Sequence, residues 1–70
     1  MNRQAPQPPT RAEITEQIER LSSNAIIATA CIRDDILAGK YGIADLTADS
    51  LKNLTNTLRK LQDRKEKIPA

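Results

Sequence analysis

The sequence predicts an all-α protein, an antiparallel two-helix hairpin that dimerises into a four-helix assembly. Three observations predict it. Ile14, Ile18, Leu21, Ala25, Ala28, Ile32 and Ile36 recur at spacings of three and four, the period of one helix face. Leu51, Leu54, Leu58, Leu61 and Ile68 form a second, heptad-like stripe, with Lys65 interrupting it. Between them, Ala25-Ile26-Ile27-Ala28-Thr29-Ala30-Cys31-Ile32 is apolar around almost the whole helical wheel, and a helix of that kind must be covered on every side.

Met1 to Pro9 has three prolines and no periodicity, and reads as an extended, flexible arm. Thr10-Arg11-Ala12-Glu13 fits a capping box, in which the threonine hydroxyl serves a first-turn amide and the glutamate reaches back. Helix one is therefore expected over 11–38, and Gly39 is a natural left-handed stop. The two glycines of Gly39 to Leu46 predict a turn over 39–47. Thr47 is the expected N-cap of helix two over 48–68, with Leu46 and Leu51 as a hydrophobic staple, Asp49 in the first turn, and Pro69 as the stop.

Residues 1–50 carry five basic against seven acidic side chains, and residues 51–70 carry six against two. Antiparallel packing sets Glu13, Glu16 and Glu19 near Arg59, Lys60, Arg64, Lys65 and Lys67. Exposed pairs contribute only about 0–1 kcal/mol each, so this pattern selects register more than it stabilises.

Seventy residues form one small domain, a size at which a lone core is marginal. The single cysteine makes no internal disulfide, and without histidine there is no zinc cluster. Oligomerisation is the remaining aid. Helix two, at about 20 residues, is expected to be too short to shield a helix one of about 28. On this reading it covers Ala25, Ala28 and Ile32, while a second copy of the chain covers Ile26, Ile27, Ala30 and Cys31.

The missing histidine also removes the commonest general base, so the sequence predicts no enzyme, and no metal or other cofactor. The opening segment lacks an apolar signal core, and the longest apolar run is too short to span a bilayer. A soluble, cytoplasmic protein with no membrane partner is expected.

Cys31, among apolar neighbours that stabilise no thiolate, reads as a core or interface residue. Asp34 and Asp35 oppose the helix dipole near the end of helix one. They read either as a solvated pair helped by Arg33 or Lys40, or as partners for arginines across the dimer or on another protein. Tyr41, the only aromatic residue, either packs over the turn or anchors an interface. Glu16 and Arg20 form an i, i+4 pair on the polar side of helix one, where a docking face would lie. Asn53, Asn56, Arg59, Lys60 and Arg64 are residue types that read bases or neutralise phosphates. Against a nucleic-acid role, the basic run contains Asp63 and Glu66, no aromatic is present for stacking, and a third helix is missing.

In helix lengths, size and charge, residues 10–68 resemble the short helical-hairpin dimers of plasmid- and phage-encoded regulators, including RNA-binding copy-number modulators. They are also similar to small phage anti-activator proteins that inhibit host quorum-sensing regulators. The resemblance carries no diagnostic motif and transfers no residue position by position. It implies a protein that occupies the surface of a bacterial regulatory protein, such as a transcription activator. Its expected contacts here are Glu16, Arg20, Asp34, Asp35 and Tyr41. The alternative is a nucleic-acid-binding transcriptional or copy-number regulator that uses the basic second helix.

Overall fold

Thr10 starts the first helix as the sequence requires. In the computed structural model, which describes residues 8–69, its side chain accepts from the Glu13 amide at 3.2 Å. The hydroxyl itself donates to Glu13 Oε1 at 3.1 Å. The glutamate thus reaches back to the threonine side chain. Residues 1–7 of the proline-rich arm lie outside the described residues.

Helix α1 spans Arg11–Leu37 and helix α2 spans Tyr41–Lys67, 27 residues each. At ~1.5 Å per residue both are about 40 Å long. The two pack against each other, and no strand occurs among the described residues. The helices are equal in length, so the expected shortfall of helix two does not exist. The bare surface of α1 has a different cause: one neighbour covers one face of a helix whatever its length.

The turn is a Schellman closure. Gly39 adopts φ +75°, the Gly39 amide donates to the Ile36 carbonyl at 3.0 Å, and the Lys40 amide donates to the Asp35 carbonyl at 2.7 Å. The next residue already begins α2, so the expected turn over 39–47 shrinks to Ala38–Lys40. Lys40 occupies the N-cap position with no side-chain hydrogen bond. Thr47 is an interior helical residue whose hydroxyl donates to the Ile43 carbonyl at 3.1 Å. The expectation failed because it sought good capping chemistry and treated Gly42 as a breaker. Packing of the extra two turns along α1 outweighs a missing cap and a first-turn glycine, each worth only about 1 kcal/mol.

Protected side chains define the seam. On α1 they include Ile14, Ile18, Leu21, Ala25, Ala28, Ile32 and Asp35; on α2 they are Ala44, Thr47, Leu51, Leu54, Leu58, Leu61 and Lys65, with Ile68 at its C-cap. Both series keep strict four-three alternation, the geometry of antiparallel helices crossing at about 20°. Each of the seven α1 positions has a protected α2 position the same number of residues from the turn: Ile14 and Lys65, Ile18 and Leu61, Ala28 and Leu51, Asp35 and Ala44. Lys65, which breaks the apolar repeat in sequence, keeps its place in the seam. Ile36 leaves it: 48 % exposed, it gives up the last seam position to Asp35.

Only Ile14, Ala44 and Leu61 are buried hydrophobics among the described residues, and Ile14 alone is wholly enclosed. The expected charge pairing along the seam forms no ion pair. The sole salt bridge among the described residues is Arg33 to Asp34, 3.2 Å apart on one helix.

Candidate interaction surfaces

The two ends of the hairpin use apolar residues in opposite ways. At the open end, Ile14, Ile18, Leu21, Leu58 and Leu61 all lie in the seam. Toward the turn the seam mixes Ile32, Leu51 and Leu54 with Ala25, Ala28, Asp35, Ala44 and Thr47, while Ile26, Ile27, Ile36, Leu37, Tyr41, Ile43 and Leu46 face outward. Among the described residues every exposed large hydrophobic falls within residues 26–46, with Leu37 80 % and Ile26 71 % exposed.

Helical phase divides this surface. At about 100° per residue, Ser23 and Ala30 lie on the line directly opposite the α1 seam, with Ile26 to one side of it and Ile27 to the other. The four residues expected to meet a second copy, Ile26, Ile27, Ala30 and Cys31, are all exposed; the first three occupy the back of α1 and Cys31 its flank. Cys31 is therefore no part of the hairpin core. The hydroxyls nearby are satisfied within the helix, Ser23 donating to the Glu19 carbonyl and Thr29 to the Ala25 carbonyl. They bring no unmet donor to a buried contact.

The expected docking residues do not converge. Glu16 and Arg20 sit near the open end of α1, about 30 Å along the helix from its C-terminus in the case of Glu16. Tyr41 is in the first turn of α2, 68 % exposed. Asp34 is held by Arg33, whose Nη2 and Nε lie 3.2 and 3.3 Å from its Oδ1. Asp35 is half-buried in the seam beside the Lys40 turn. Asp34, Asp35 and Tyr41 thus share the turn end with Leu37, Ile43 and Leu46, apolar residues that sequence reasoning passed over. The missed signal was the length of helix two: once 41–47 is helical, Ile43 and Leu46 have no seam to enter.

On α2, Asn56 accepts from Arg59 at 2.7 Å, and both line an open, shallow depression with Ala48, Leu51, Lys52, Asn53 and Thr55. Lys60 and Arg64 are exposed on the same helix. Lys65 lies with Glu16, Glu19, Thr15 and Arg11 around a second shallow depression at the open end.

Among the described residues no helix is long and apolar enough to cross a membrane. No family model matches the chain, and no curated protein or solved structure matches it.

Proposed function

We propose that the chain is a small dimeric protein-binding inhibitor or adaptor, without chemistry of its own, that acts by covering part of a regulatory protein. The observation that supports it most is the turn half, where small and polar residues share the seam with Ile32, Leu51 and Leu54 while seven large apolar side chains face solvent. A hairpin with three buried hydrophobics has little core to spend in this way unless something else covers the surface. Two hairpins joined through Ile26, Ile27, Ala30 and Cys31 make a four-helix assembly. That leaves Tyr41, Leu37, Ile43 and Leu46, edged by Asp34 and Asp35, to dock on the partner. A bacterial transcription activator is the partner class that the architecture's resemblance implies, and the bacterial or host cytoplasm is the matching location.

The dimer is tested by Ile27→Glu, which should convert the protein to monomer in light scattering; an unchanged dimer overturns that contact. The docking surface is tested by a Tyr41→Ala, Leu46→Ser double variant used as bait beside the unaltered protein. A partner captured by the unaltered protein and lost by the variant, with the dimer intact, supports the assignment. Equal capture by both refutes it.

The second reading is nucleic-acid binding through Asn53, Asn56, Arg59, Lys60 and Arg64, favoured by the joined Asn56–Arg59 pair on an exposed basic helix. A phosphate-binding face should lose affinity steeply with salt, about 0.9 log units per log unit of salt for each duplex phosphate neutralised. Absence of binding at low salt removes this reading.

A further inference from the structure

The two broad sides of the hairpin differ in charge where the apolar residues are exposed. Each helix sends two rows into the seam, and antiparallel packing places the Ala28–Asp35 row of α1 and the Thr47–Leu54 row of α2 toward the same side. In the turn half that side is a groove. Its floor is low at Ala28 and Thr47, and its walls are Cys31 and Ile27 on α1, Ile43 and Leu46 on α2. The charges of the groove are carboxylates. Asp34 on the rim is held by Arg33, whereas Asp35, half-buried on the floor, has no ion pair among the described residues, with Arg33 or with Lys40. The opposite side of the same half mixes Ile26, Ile36 and Tyr41 with Arg33, Asp45 and Lys52.

We propose that this groove seats an amphipathic helix of the partner protein, one that carries a lysine or arginine placed to meet Asp35. The inference rests on the docking reading above and moves Cys31 from the dimer contact to the groove. A helix fits because it satisfies its own backbone, whereas an extended segment laid between two helices buries amides that find no partner there. The cation follows from Asp35. Any occupant strips the remaining water from that carboxylate, a cost recovered only by an opposite charge or a donor brought with it. The chain as a whole is net positive, so the attraction for a cation is local to the groove. A second copy does not supply the match: its own groove brings a further pair of aspartates, and its basic half, residues 52–67, exposes no large apolar side chain. A lipid surface does not either, because helices that lie on membranes set Lys and Arg beside their apolar face where this groove sets Asp.

The test is a phage-displayed library of helical peptides, about 18 residues long, with a fixed leucine stripe and randomised flanks, selected on the full chain. Selected peptides should carry Lys or Arg at one flank position at least about tenfold more often than Asp or Glu. In fluorescence anisotropy, Asp35→Asn should weaken such a peptide at least about fivefold, with circular dichroism checking that helicity is kept. Bound peptide should also slow the alkylation of the exposed Cys31 by iodoacetamide below its rate in the free chain. Peptides without a preference for cations, or that bind Asp35→Asn equally well, overturn the inference and leave the docking reading standing. Peptides that bind while Cys31 stays as reactive as before overturn the groove as the seat. A library that yields no binder, while the unaltered protein still captures a partner that the Tyr41→Ala, Leu46→Ser variant loses, overturns the helical seat alone. Failure of both experiments overturns the docking reading, and this inference with it.

Discussion

The open half of the hairpin and the turn half are built from the same kinds of residue arranged in opposite senses. At the open end, isoleucine and leucine fill the seam, Ile14 is fully enclosed, and the outer surface is charged. At the turn end, alanine, threonine and aspartate share the seam with Ile32 and Leu51 while Leu37, Tyr41 and Leu46 stand in solvent. The open half can hold two helices together, because its apolar area is removed from water within the hairpin. The turn half buries Ile32, Leu51 and Leu54 only in part and leaves seven large apolar side chains exposed.

The largest test of this division is Ile14→Ala. It removes the one wholly enclosed side chain among the described residues and should lower stability by about 2–4 kcal/mol in chemical denaturation followed by circular dichroism. The matching change in the turn half, Leu37→Ala, should move the same curve by less than about 0.5 kcal/mol at concentrations where the chain is monomeric. Comparable losses at the two sites would erase the distinction between the halves.

Next in size is Gly39→Ala. Open space surrounds the position where a Cβ would sit, so the cost comes from φ +75° alone and should be about 1 kcal/mol. Thr10→Ala removes the open-end cap, for a loss of about 1 kcal/mol. The smallest effect is expected for Thr47→Ala. As an interior residue whose hydroxyl bonds back to Ile43, Thr47 should be replaceable within about 0.5 kcal/mol. A loss near 1 kcal/mol would mean that helix two starts at Thr47 after all. Thermal melts of the three variants side by side separate these outcomes.

Much of the hairpin was legible from local chemistry. Thr10 with Glu13, the left-handed Gly39, and the stripes through Ile14 to Ile32 and Leu51 to Ile68 each need only residues a few positions apart. The start of α2 was not legible, because nothing local favours it. Lys40 offers no cap and Gly42 opposes a helix, and only the length of α1 alongside makes residues 41–47 helical. The same error hid Ile43 and Leu46 from the candidate surface, since a loop residue has no face. Ile36 was misread for a related reason: at the end of a helix, whether a side chain enters the seam depends on how the turn aims the partner helix. Of the docking residues, Glu16 and Tyr41 were grouped by chemical type, and only their separation along the rod showed that they cannot act at one point.

By itself, then, the sequence determined that two helices form, where the first begins and ends, and that residues 25–32 exceed what one neighbour can cover. Those properties depend on hydrogen bonds and side-chain periodicity within a few turns. Tertiary structure decided the length of the second helix, the admission of Asp35 and Lys65 to the seam, and the outward turn of the large apolar residues near the loop. These depend on which side chains stand at equal distances from the turn, and that register exists only once the two helices are side by side.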